Sequence, residues 1–211
     1  DKKKTFSFLK EANIPLPKTA VIAKGQVTPK QLQTLPVPSV VKPNGSGSSV
    51  GVTIVSSRKQ LQTAIRTALR EDRKVLVQEY IKGTELTCGV LGNADDPKLI
   101  RTLPPVEIIA GKGFFDYRAK YHSKTTQEIC PAHIPPVLTK KIQSLAKQVH
   151  ILLGCRGLTR SDFILKGRTP FFLEINTLPG LTEQSLCPKE ARAAGMSMMD
   201  FLTRQIELAK H

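Results

Sequence analysis

The sequence of 211 residues has no tryptophan and only three tyrosines, and most of its eight phenylalanines sit in apolar runs. That leaves no aromatic platform on which nucleic-acid bases would stack, and no helix-turn-helix or zinc-finger pattern is present. A run of about 18 apolar residues, the length needed to span a membrane as a helix, is also missing. The opening DKKKTFSFLKEAN lacks a signal-peptide apolar core and an initiator methionine, so the chain is expected to be a piece of a longer protein. Cysteines are few: Cys88, Cys130, Cys155 and Cys187 are widely spaced, with no C-x-x-C pair and no matching histidines. This argues against zinc and for free thiols in a reducing cytoplasm. Acidic residues are scarce, 17 against 32 basic ones, giving a formal charge of +15. Such an excess asks for an acidic partner, either nucleic acid or a phosphate-bearing substrate.

What is present is an alternation of strand and helix patterns. Residues 2–12 read as a helix, 19–23 as a strand, and TPKQLQTL as a short helix. PSVVKP (38–43) and VTIV (52–55) read as a hairpin whose tip is the glycine-rich NGSGSSVG (44–51). An amphipathic helix follows over 56–72 with Ser56 or Ser57 as N-cap, then strands at 74–81 and 85–92. The pattern weakens from Leu99 to Pro136. It returns as a helix over 137–153, strands at 158–165 and 170–176, and a mostly helical stretch over 188–210. Hairpins in place of parallel crossovers predict an α+β fold in two subdomains with mainly antiparallel sheets, 1–86 and 87–211.

Several stretches carry chemistry. A three-residue turn at 167–169 would set Asp162 opposite Glu174, and alternation along the strand adds Asn176 to the same face. Three hard oxygen donors without sulfur or imidazole suit Mg²⁺ or Mn²⁺; a solvated hairpin face accounts for the same residues equally well. A two-residue turn would send Asp162 to the other face. In KPNGSGSSVG, glycines free backbone N–H groups for an anion, Ser48 and Ser49 add hydroxyls, and Lys42 adds a charge. It is not a Walker A loop, since the lysine precedes the glycines and a strand follows. In VLVQEYIKGTEL, Glu79 and Glu85 could accept ribose hydroxyls, and Tyr80 and Ile81 could line an adenine slot. FFDYRAKYHSK (114–124) is a candidate lid. Arg160 should face the same way as Asp162 and could stabilise an oxyanion.

Taken in order, VVKPNGSGSSVG, VLVQEYIKGTEL, FFDYRAKY, SDFIL and FFLEINTLPGLTEQSLCP resemble the D-alanine–D-alanine ligase family of ATP-grasp enzymes, along the whole chain. The resemblance implies an ATP-grasp fold of two α+β subdomains clasping a nucleotide. It also implies ATP- and Mg²⁺- or Mn²⁺-dependent joining of two D-alanines for peptidoglycan, with two metal ions, in the cytoplasm. Carried onto this chain, Lys2 and Lys42 would meet ATP phosphates, with Ser48, Ser49 and Lys120 over the terminal phosphates. Gln78, Glu79, Tyr80 and Ile81 would frame the adenine, and Glu85 would take the ribose. Asp162, Glu174 and Asn176 would hold the metals. Arg160 and the Gly180 N–H would hold the oxyanion, with Ser49 and Lys120 in the same catalytic set. Ser185, Leu186 and Lys120 would receive the second D-alanine or the transferred phosphate, and Tyr121 favours D-alanine over D-lactate as acceptor.

The sequence departs from the family in places. The sequence begins at the DK that in the family follows an N-terminal domain anchoring the first D-alanine; if these 211 residues are all there is, nucleotide binding with little or no ligase activity is expected. The full-length protein is expected to be a homodimer. Gln78 stands where an acidic residue is frequent, and Arg118 where glutamate is usual. Other readings are a different ATP-grasp carboxylate–amine ligase and a basic nucleic-acid-binding module.

Overall fold

A computed structural model describes residues 1–25, 28–45, 51–109 and 126–210. They form two units, each built on its own antiparallel sheet. The first holds Asp1–Glu11 and Leu16–Lys82 with Thr126; the second holds Ala12–Pro15, Gly83–Ile109 and the chain from Gln127 on. The division falls between Lys82 and Gly83, and not after Leu86 as expected, because a single strand, Thr84–Leu91, runs through that point.

In the first unit, α1 (Lys2–Glu11), β1 (Thr19–Ala23), α2 (Pro29–Thr34), β2 (Ser39–Pro43), β3 (Thr53–Val55), α3 (Arg58–Glu71) and β4 (Lys74–Glu79) follow in order. The sheet runs β1-β4-β2-β3. Apolar residues recur on α3 at helical spacing, and Leu61, Ala64, Ile65 and Ala68 pack with Val41, Val55, Val75 and Val77 from the sheet. Ser57 starts this helix, its Oγ accepting the Gln60 N–H at 3.3 Å. β2 and β3 pair antiparallel as expected, Ser39 with Val55 and Val41 with Thr53.

The second unit contains β5 (Thr84–Leu91), β6 (Arg101–Thr102), β7 (Val106–Ile109), β8 (Gln127–Ile129), α4 (Pro136–Leu152), β9 (Leu158–Lys166), β10 (Thr169–Asn176), α5 (Leu186–Ala193) and α6 (Met198–Ala209). Its sheet runs β10-β9-β5-β7-β8, with β6 on β5. The short strands β6, β7 and β8 lie in the stretch whose pattern is weak in the sequence. At two to four residues they are too short to show a period. Leu158 on β9 and Leu91 on β5 pack with Cys187 and Ala191 of α5 and Phe201 and Leu208 of α6. On α4, His150 is buried and meets Thr159 Oγ1 at 2.8 Å and the Gly92 carbonyl at 3.1 Å, so one sheet face is tied to that helix by polar contacts.

Candidate active site

The β9–β10 hairpin turns on Gly167-Arg168, with Thr169 paired to Lys166, so the three-residue turn expected at 167–169 is corrected to two residues. By itself that register would set Leu173 against Asp162 and send Glu174 to the opposite face. A β-bulge between Phe172 and Glu174 inserts Leu173 as an extra residue and restores the pairing of Glu174 with Asp162 and Asn176 with Arg160. Bulges of this kind re-aim side chains beside functional sites. Phe172 stays opposite Phe163, their rings edge to face at 6.0 Å, and anchors the strand just before the shift.

The resulting cluster is closely bonded. Arg160 donates Nε–H to Asp162 Oδ1 at 2.8 Å and a terminal N–H to Oδ2 at 3.0 Å. Thr87, directly opposite Asp162 on β5, donates its hydroxyl to Oδ1 at 2.8 Å. Asn176 donates its amide to Oδ2 at 3.2 Å. Asp162 is thus a buried carboxylate ringed by donors, on a face that also carries Glu174. Burial works against the charge on Arg160, but the adjacent Asp162 carboxylate outweighs it and holds the guanidinium fully protonated. Among the described residues no three His, Cys, Asp or Glu side chains gather as a metal cluster. What is present is two carboxylates and an amide, an all-oxygen set once the Asn176 amide turns its Oδ1 inward. Such a set suits Mg²⁺ or Mn²⁺ and no softer metal.

After β10 the chain passes Thr177-Leu178-Pro179-Gly180 and reaches Ser185, the N-cap of α5, whose next residue is Leu186. Gly180 and Ser185 come together: a Cβ on Gly180 would lie 2.7 Å from Ser185 Oγ, and that hydroxyl bonds Thr182 Oγ1 at 2.8 Å.

Within the first unit, the Lys2 N–H donates to the Asn44 carbonyl at 3.3 Å, and Lys42 is buried with its Nζ 5.6 Å from the Phe6 ring centre. Gln78 is buried and bonds Thr19 Oγ1 at 2.9 Å. Glu79 accepts the Lys18 N–H at 2.9 Å, the Tyr80 N–H donates to the Pro38 carbonyl at 3.1 Å, and Ile81 is half-buried. Glu85 is the second residue of β5 in the second unit, paired with Ile164. Ser48, Ser49, Lys120 and Tyr121 lie outside the described residues.

Sequence patterns missed three supporting groups. Thr87 alternates in ELTCGVLG and its pairing with Asp162 is a tertiary matter. Asp72, just past α3, accepts the Gly45 N–H at 2.7 Å and the Lys74 N–H at 3.1 Å, fixing one stem of the glycine-rich hairpin. Burial raises the Asp72 pKa, but the N–H groups of Gly45, Lys74, Arg73 and Asn44 outweigh that and hold it below the ordinary value. Glu190 on α5 is completely buried. Burial pushes its carboxyl up to about 8; Arg160 opposes the rise and Asp162 adds to it. Its signal was a glutamate on the face that also buries Cys187 and Ala191.

Residues 8–207 match the family described as "D-ala D-ala ligase C-terminus". The chain is 45% identical over 177 residues to the D-alanine--D-alanine ligase of Syntrophobacter fumaroxidans, covering 83% of this chain and 56% of that protein. It is 40% identical to that of Desulforamulus reducens, covering 97% and 67%. Among solved structures, the D-alanine--D-alanine ligase of Bacillus anthracis superposes with a TM-score of 0.85 at 34% identity, covering 99% of this chain and 66% of that one. VanG D-Ala:D-Ser ligase of Enterococcus faecalis gives 0.87 at 33%, covering 99% and 61%. The chain therefore spans a little over half to two thirds of the length of these relatives.

Proposed function

Because the chain belongs to the D-alanine–D-alanine ligase family, we propose that it is the nucleotide- and metal-holding part of an enzyme that joins two D-alanines at the expense of ATP. Its fold is that of the ATP-grasp enzymes. The product, D-alanyl-D-alanine, would serve peptidoglycan synthesis in the cytoplasm. The observation that carries this reading is the bulge on β10, which brings Glu174 and Asn176 to the face of Asp162 and Arg160. An antiparallel hairpin has no packing reason to gather two carboxylates, an amide and an arginine there.

Chemically, a carboxylate is a poor electrophile, so the γ-phosphoryl group of ATP must first pass to the carboxylate of one D-alanine. The amine of the second D-alanine then attacks the acyl phosphate, a C–N bond forms, and inorganic phosphate leaves. In this reading Asp162, Glu174 and Asn176 hold Mg²⁺ or Mn²⁺, which would supply charge neutralisation at the phosphates. Lys2 and Lys42 contact phosphate oxygens, with Ser48, Ser49 and Lys120 over the terminal ones. Gln78, Glu79, Tyr80 and Ile81 border the adenine and Glu85 the ribose. Arg160, with the Gly180 N–H, stabilises the oxyanion as the amine adds. Ser185, Leu186 and Tyr121 contact the second D-alanine.

Thermal unfolding with ATP tests the reading. Stabilisation by ATP is expected to need Mg²⁺ or Mn²⁺, and Glu174→Gln, which keeps shape and removes charge, is expected to weaken it at least about tenfold in apparent affinity. Equal Mg²⁺-ATP stabilisation in the two proteins would remove the metal role from Glu174.

A further inference from the structure

Glu190 is a residue type that interiors reject unless it is paired, yet it is completely buried on α5. Its carboxyl lies so close to Gly89 that a Cβ added there would strike Oε2. Gly89 is the β5 partner of Arg160. Directly opposed residues on neighbouring antiparallel strands share a face, with Cβ positions roughly 5 Å apart. The Glu190 carboxyl therefore stands beside the stem of Arg160, on the face that carries Asp162. The Gly89 N–H and the Cys187 thiol lean toward it, yet among the described residues neither oxygen completes a hydrogen bond. A buried carboxyl left bare in this way needs an explanation. Arg160 is the cation whose field acts on it.

Arg160 meanwhile gives two N–H groups to Asp162, the carboxylate assigned above to a divalent cation. Charge drawn to a dication weakens a carboxylate's hold on a guanidinium, and the dication itself repels the arginine. An oxyanion donor that loses its anchor when the metal arrives would be poorly placed when it is needed. We propose that Glu190 is a positioning residue that takes up the Arg160 guanidinium from the Gly89 side when a divalent cation engages Asp162. The cavity that Gly89 leaves open gives the carboxyl its place. The proposal rests on the metal-site reading above.

The test compares the intact protein with Glu190→Gln, which keeps shape and burial and cannot pair with a cation. Its Tm is expected to be unchanged or higher. Nitrogen-15 NMR follows the Arg160 Nε–H, assigned by its loss in Arg160→Lys. In the natural protein this proton should stay protected from exchange when Mg²⁺ and ATP are added. In Glu190→Gln it should exchange at least roughly tenfold faster with Mg²⁺ and ATP, and at the natural rate without them. In the ligase reaction kcat should fall roughly 10- to 100-fold with little change in KM for ATP. Glu190→Asp, which retains the charge on a shorter arm, should recover part of it. A group that merely fills space would be replaced by glutamine without loss. Equal protection in both proteins with Mg²⁺-ATP bound overturns the role of Glu190 alone. If ATP stabilises the natural protein equally with and without Mg²⁺, the metal-site reading fails and the proposal with it.

Discussion

At the scale of single residues, the site mixes a satisfied pair and an unsatisfied group. Arg160 and Asp162 are mutually neutralised by a two-point contact in a largely buried setting. Removing one partner strands the other, which costs more than the pair itself contributes. Arg160→Ala is therefore expected to lower Tm as well as ligation rate, the rate by about 10²–10³ if the side chain is an oxyanion donor, with ATP affinity much less affected. Calorimetric ATP binding measured beside single-turnover ligation separates the two effects; a rate within twofold of normal would remove Arg160 from the chemistry. Glu190 should reveal itself through pH. Its folded pKa is raised from 4.5 to about 8, so the unfolded chain releases this proton before the folded one does. Stability from this group is complete below about pH 4.5 and is lost as pH rises through about 8. Glu190→Gln should flatten the Tm-versus-pH curve over that window and be the more stable protein at its upper end. Parallel curves would show that the carboxyl ionises at an ordinary pH.

At the scale of elements, most spans were legible because their signals are local. The apolar spacing of α3, the Ser57 cap and the β2–β3 hairpin depend on neighbours a few residues away. The pairing of Asp162 with Glu174 was legible too, but through a register that the chain reaches differently: a tighter turn by one residue and a bulge that gives that residue back. Nothing local marks Leu173 as the extra residue. It follows from Phe172 packing edge-on against Phe163 while Asn176 bonds Asp162, two tertiary contacts that one regular ladder cannot satisfy together. This yields an asymmetric prediction. Deleting Leu173 leaves Phe172 opposite Phe163 and lets Glu174 follow directly onto the face of Asp162. It should lower Tm yet keep the Mg²⁺ dependence of ATP stabilisation. Inserting an alanine between Phe172 and Leu173 should push Glu174 and Asn176 out of register and abolish that dependence. The reverse order of severity in thermal-shift titrations would mean the bulge does not set the site.

At the scale of the whole molecule, the net charge of +15 invites a polyanion reading that the local chemistry opposes. The two possibilities differ in how the charge is used. Binding to nucleic acid draws on many exposed lysines and arginines and releases counterions, so its affinity falls steeply and log-linearly with salt. A nucleotide phosphate met by a buried lysine such as Lys42, or by a cation on the buried Asp162 carboxylate, would meet far less screening, because the Debye length governs charges facing bulk water. Exposed basic residues such as Arg66 and Arg70 of α3 or Lys140 and Lys141 of α4 would then act on ATP⁴⁻ only through the long-range field. Mg²⁺-ATP affinity should accordingly change by less than roughly fivefold between about 0.05 and 0.5 M salt, while duplex DNA, if retained at the lower concentration, should be released entirely at the higher. Fluorescence titrations of a nucleotide analogue and of labelled DNA across that range provide the comparison. A nucleotide affinity that collapsed in parallel with DNA binding would mean that ATP is held by surface charge, and that the site on β9 and β10 is not where it sits.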